Sequence, residues 1–130
     1  MTAFLKPHSE RIYALLRIVA GFMFLCHGAQ KVFGLFGGSQ APPAITWSAG
    51  PIELIGGALV MVGFQAGWAA FLCSGTMAVA YFMVHARGGF WPIVNKGELA
   101  VLYCFIFLFI AARGSGSWSV DAIAGKKGRA

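Results

Sequence analysis

Acidic side chains are nearly missing from this chain: only four of its 130 residues are Asp or Glu. Charged residues of both signs make up 11%, against about 25% in a typical soluble domain. Too few polar groups remain to cover a water-facing surface, which excludes an ordinary soluble globule. Paired cysteines are missing too. Cys26, Cys73 and Cys104 stand singly in three apolar stretches, so neither a disulfide framework nor a CxxC thiol relay is encoded, and they read as small buried hydrophobes. There is also no block of basic charge. The net charge is +6, but the ten Lys and Arg residues are scattered at segment ends, which excludes a nucleic-acid surface and suits anchoring to anionic lipid. The first apolar run starts near Ile12, extends about twenty residues and ends in His27, Lys31 and Gly34; it reads as a retained helix rather than a cleaved signal.

Hydrophobic residues are what the chain has, at 58%, with 15% aromatic. Four stretches approach the length that crosses a hydrocarbon layer of ~30 Å: Ile12–Phe33, Pro51–Phe64, Trp68–Ala86 and Glu98–Ala112. The predicted fold is an all-α membrane protein, a four-transmembrane-helix antiparallel bundle forming one domain over residues 1–130. Gly34 to Gly50, rich in Gly and Pro and free of charge, predicts a loop folded back at the membrane surface with a short interfacial helix. Gln65, Ala66 and Gly67 predict a tight hairpin between the second and third spans. Lys6, Arg11, Arg113, Lys126, Lys127 and Arg129 fall on one side, against Lys31, Arg87 and Lys96 on the other. The positive-inside rule therefore predicts both termini in the cytoplasm of a bacterial cell and a multi-pass inner-membrane location. Gly21 and Gly28 on the first span, with Gly56, Gly57 and Gly63 on the second, predict close helix contacts, because small residues drive packing in lipid.

Ionisable residues inside apolar spans are costly, at about 2.5 to 3.5 kcal/mol each on insertion scales, so they pair or serve a function. Arg17, His27 and Lys31 lie on the first span, Glu53 on the second, His85 on the third and Glu98 at the start of the fourth. Alternating helix direction brings all but Arg17 to the outer end, together with Asn95. At about 100° per residue, Arg17, Gly21, Phe24, Gly28 and Lys31 share one stripe, and Glu53 shares the face of Gly56, Gly57 and Val60. The expectation is a polar cluster in which His27, Glu53 and Glu98 are the candidate proton-handling groups and Lys31, Asn95 and His85 the candidate ligand contacts. A purely structural reading pairs Lys31 with Glu53 and lets the histidines cap the bundle. A metal on His27, His85, Glu53 and Glu98 lacks i, i+4 spacing and would face the Lys31 cation; none is predicted. Axial haem ligation needs histidines at mid-membrane, and both stand near one end. Trp91, with Phe90, Pro92, Trp47 and Trp68, reads as an interfacial belt or as the floor of a pocket for a flat apolar ligand. At the C-terminal end, Ser117 or Ser119 with Asp121 predicts a capped surface turn anchored by Trp118, followed by a lipid-attracted tail from Lys126 to Arg129.

Four motifs carry a family resemblance: HGAQKVFG at His27 to Gly34, PIELIGG at Pro51 to Gly57, FWPIVNKGELAVLYCFIFL at Phe90 to Leu108, and GSGSWSVD at Gly114 to Asp121. In order and spacing the chain resembles the DoxX family of small four-helix bacterial inner-membrane proteins. It departs at Ser115, where many members read Gly-Pro-Gly. Some relatives are similar to membrane subunits of thiosulfate:quinone oxidoreductase, and others associate with oxidative-stress proteins. The resemblance implies Lys31, Glu53, Asn95 and Glu98 as functional residues, followed by His27 and Tyr103. The function expected is a redox-linked membrane component, a partner subunit binding quinone or another small ligand among membrane lipids. The rivals are a non-enzymatic scaffold recruiting redox or stress enzymes, and a small transporter built as a homo-oligomer. Whether the chain is itself an enzyme is left open at this point.

Overall fold

The computed structural model describes residues 2–127; Arg129 and the side chains of Lys126 and Lys127, at the end of the expected basic tail, lie outside what is described. Among the described residues all regular structure is helical. The longer helices are α1 (Ser9–Phe33), α3 (Ala49–Val62), α4 (Ala66–Ala80) and α6 (Glu98–Arg113). Short helices α2 (Pro43–Thr46) and α5 (Pro92–Asn95) sit in the connecting loops, and α7 (Val120–Lys127) follows the last long helix. Three stretches are long and apolar enough to cross a membrane: Lys6–Phe33, Pro43–Val62 and Ala66–Gly88. At 16 residues α6 rises only about 24 Å, shorter than α1 at about 37 Å.

The tightest seam is α1 against α3, running antiparallel. Gly21 lies over Gly57 and Met61, and Gly28 over Leu54 and Glu53; a Cβ on Gly28 would stand 2.8 Å from the backbone carbon of Glu53. This is the small-residue packing that the glycines predicted. Next, α3 turns into α4, with Gly56 seated against Cys73, and α4 packs antiparallel on α6, where the Ser74 hydroxyl donates to the Cys104 carbonyl at 2.8 Å. By contrast α1 and α6 meet through rings rather than backbones: the Phe24 ring lies tilted against Phe107 at 4.7 Å and Tyr103 at 5.3 Å between centroids. Outward faces are apolar on every long helix, with Phe22, Ile55, Leu72, Phe82, Leu102 and Phe105 exposed.

Beyond an earlier start of α1, at Ser9, and a shift of α3 to Ala49–Val62 from the expected Pro51–Phe64, two connections differ from expectation, each for a local reason. The hairpin is Gly63 to Gln65 rather than Gln65 to Gly67. Asp121 accepts from the Gln65 amide at 2.9 Å and Ser115 from the Ala66 amide at 3.3 Å, so α4 is capped and starts early. The same Ser115 hydroxyl donates to Asp121 at 2.5 Å, a bond proline at this position could not make. The third span does not run as α-helix to Ala86: after Ala80 it widens into a π turn, Tyr81–His85, and then tightens into a 3₁₀ turn, Ala86–Gly88. Such turns recur at functional sites. Elsewhere the loop after α1 folds back as predicted. Ala41 donates its amide to the Lys31 carbonyl at 3.0 Å, and buried Thr46 donates to Ala41 at 2.7 Å. Ser119, which accepts from the Ala122 amide at 3.1 Å, supplies the cap of α7.

Candidate functional site

Antiparallel packing places the ends of α1 and α4 beside the starts of α3 and α6. There the structure forms a pocket of about 260 Å³ lined by His27, Lys31, Glu53, His85 and Tyr103. Its apolar wall is made by Phe24, Met77 and Leu99. At its base Glu53, whose side chain is 1% exposed, forms an ion pair with Lys31 through Oε1. The lysine stem reaches toward solvent at 31% exposure, so the carboxylate is deep and its cation shallow. Glu53 Oε2 and the Tyr103 hydroxyl are both buried and have no hydrogen-bond partner among the described residues. Buried polar atoms are normally paired, and two unmet groups in one pocket mark it out. The His27 ring meets Tyr103 edge-on at 6.0 Å.

His85 owes its place to the π turn and to the loop opposite. Its ring stacks on Tyr81, with centroids 6.4 Å apart, and its Nδ1 lies 3.2 Å from the Asn95 carbonyl oxygen. Tyr81 donates to the Phe90 carbonyl. The Asn95 amide donates to Gly89 at 2.8 Å and to the Tyr81 oxygen at 3.1 Å, while its carbonyl accepts from Gly97 at 2.8 Å. Asn95 therefore ties the 86–97 loop to α4 and does not line the pocket.

Of the residues the sequence singled out, His27, Lys31, Glu53, His85 and Tyr103 come together. Glu98 and Trp91 are exposed and stand outside the lining, as does Asn95. The expected pair of carboxylates is thus a single buried one. Lys96, Phe24 and Met77 line the pocket without having been singled out for it. Lys96 carried a signal, being a cation between two flagged positions, whereas an apolar wall residue carries none. Among the described residues no three His, Cys, Asp or Glu side chains gather as a metal site would require.

The opposite end of the molecule has a different polar centre. Arg17 is fully buried, and its guanidinium donates to the carbonyls of Val60 at 3.0 Å, Met61 at 2.9 Å, Ser117 at 3.1 Å and Trp118 at 2.7 Å. It joins the end of α3, where helix carbonyls are free, to the segment after α6. A larger groove of about 540 Å³ lies at this end, lined by Tyr13, Leu16, Phe109 and Arg113 beneath the N-terminal residues. Here Arg113 pairs with Glu10 and sits 4.3 Å over the Tyr13 ring. Arg17 Nε is also buried without a partner among the described residues, but it does not line this groove, whereas Glu53 and Tyr103 line the smaller pocket.

A family model for DoxX matches residues 12–86, which covers α1 through α4 and two of the four motifs. An uncharacterised protein of Haemophilus influenzae is 38% identical over 125 residues, spanning 90% of this chain and 93% of the relative. The chain belongs to the DoxX family. It is a membrane protein of that family, all-helical, with several helices of membrane-crossing character. A more distant DoxX relative, named "Putative oxidoreductase CatD" in Bacillus subtilis, is 29% identical over 113 residues, 82% of each chain. No solved structure matches.

Proposed function

We propose that this DoxX protein is a redox-linked component of the bacterial inner membrane that binds a quinone or a similar flat ligand in the Glu53 pocket. The observation that carries this reading is the pair of buried, unpartnered groups, Glu53 Oε2 and the Tyr103 hydroxyl, in a pocket with two histidines and an aromatic wall. Lys31 and Tyr103 hydrogen-bond the ring oxygens, and His27 and His85, with Glu53, hold or pass protons. Quinone reduction takes up protons along with electrons, so titratable groups beside the ring are what that chemistry needs. The oxidoreductase name of the Bacillus relative agrees with a redox setting. Electrons come from a partner enzyme in this reading, the DoxX chain being its membrane subunit.

In the same reading the chain is one domain that crosses the membrane four times as an antiparallel bundle, with both termini cytoplasmic and the pocket near the outer interface. The short α6 crosses where the bilayer thins or neighbouring helices shield it. Two experiments test the proposal. Protein purified in mild detergent is extracted for bound quinone, and its unfolding temperature is followed as quinone is added. Absence of quinone together with an unmoved transition overturns it. Glu53→Gln then separates a ligand site from a scaffold: a ligand site loses binding in a folded bundle, whereas a scaffold loses fold and partner capture together.

A further inference from the structure

Besides the donors Lys31 and Lys96, the Glu53 pocket holds a buried acceptor that no described donor meets. Glu53 pairs with Lys31 through Oε1, and the carboxylate of such an ion pair accepts hydrogen bonds without donating any. Oε1 receives the Lys31 ammonium, while buried Oε2 receives nothing from any described residue. His85 adds a second acceptor. Its Nδ1 faces the Asn95 carbonyl at 3.2 Å, and since a carbonyl cannot donate, Nδ1 carries the proton. In a neutral ring that tautomer makes Nε2 the acceptor. The Tyr103 hydroxyl can act either way.

Resting on the reading of this pocket as a quinone-type site, we infer that it holds the ring in its hydroxylated, hydroquinone form, with a ring hydroxyl donating to Glu53 Oε2. The oxidised ring offers acceptors only and would set a carbonyl oxygen against the carboxylate, leaving Oε2 buried and unmet. The hydroquinone supplies the donor that Oε2 lacks, and His85, in the same lining, offers a second acceptor when its ring is neutral. Phe24, Met77, Leu99 and Tyr103 accept the flat apolar face of either form, so the polar atoms alone discriminate.

The test compares three probes on the full-length protein in detergent under anaerobic conditions: a short-tailed hydroquinone, its quinone, and its dimethyl ether. Isothermal titration should give hydroquinone binding at least about tenfold tighter than either of the others, since a hydrogen bond to a buried charge is at stake. Glu53→Gln should narrow that gap, because the amide donates where the carboxylate could only accept. Quinone binding as tight as hydroquinone binding overturns the inference and leaves the quinone site standing. Dimethyl ether binding equal to hydroquinone binding also overturns it, by showing that ring shape alone is read. Binding of none of the three overturns both the inference and the proposed function. If Glu53→Gln does not fold, the three probes on the unaltered chain still decide.

Discussion

Arg17 and Glu53 are both charged and fully buried, and each keeps one atom, Arg17 Nε and Glu53 Oε2, without a partner among the described residues, yet only Glu53 lines the pocket described above. Four carbonyl oxygens surround the Arg17 guanidinium, so it is a structural tie. Arg17→Ala removes those donors and opens a cavity, and should destabilise the protein by something on the order of 3–5 kcal/mol. Thermal unfolding in detergent measures this, and a shift close to zero would refute the role. Glu53 has one oxygen met and one unmet, so part of its environment is left for something else. Tyr103 makes the contrast sharper. Tyr103→Phe deletes a hydroxyl that bonds to nothing described, so stability should stay within about 0.5 kcal/mol or rise slightly, while ligand affinity falls. Loss of stability with unchanged binding would make Tyr103 a packing residue only.

At the scale of elements, the α1/α3 seam depends on backbone-to-backbone approach. Gly28→Val puts a branched side chain where the Leu54 and Glu53 backbones lie, and neither can yield without parting the helices. The expected outcome is a sharp loss of monodisperse protein on size-exclusion chromatography, together with displacement of the Lys31 to Glu53 pair. Behind the pocket, the 86–97 loop is tied down by one amide side chain. Asn95→Ala removes three hydrogen bonds and frees the loop, so hydrogen exchange should accelerate across residues 86–97 while α1 and α3 remain protected. His85 would lose its fixed orientation with it. Asn95 thus acts as a positioning residue for the 86–97 loop and for His85.

For the whole molecule, the segment after α6 acts as a clasp. Ser117 and Trp118 supply two of the four Arg17 acceptors, and Ser115 and Asp121 cap the start of α4. Ending the chain after Gly114 should therefore destabilise the bundle as severely as Arg17→Ala does, and the two changes together should cost less than their sum because they break one network. Denaturation of the single and double variants checks this. The proposed four-span arrangement makes its own prediction. Cysteines placed at Trp47 and Trp91, in a variant with Cys26, Cys73 and Cys104 replaced, should react with an impermeant thiol reagent added outside intact cells. A cysteine near Lys6 should not. Reaction of the Lys6 position with the other two silent would invert the topology.

Much of this was legible in the sequence, since a membrane sets strong rules on composition. A chain this apolar, with charges gathered at segment ends and glycines at helical spacing, has to be helical and has to pack α1 closely on α3. His27, Lys31, Glu53 and His85 could be brought to one end from helix direction alone, because each lies near a helix terminus. What sequence could not give was which side chains turn inward there. Glu98 begins its helix on the exposed side, and Asn95 is held by a loop whose hydrogen bonds depend on Tyr81 at the start of a π turn. A half-turn of phase decides such questions, and periodicity leaves them open at the ends of helices. Nor could it show that the mid-span cation, Arg17, would find its partners in backbone carbonyls 43 to 101 residues away. Composition and spacing determined the class of fold and the neighbourhood of the site; only tertiary packing decided which polar atoms are paired and which are left unmet, since pairing depends on distances between segments remote in sequence.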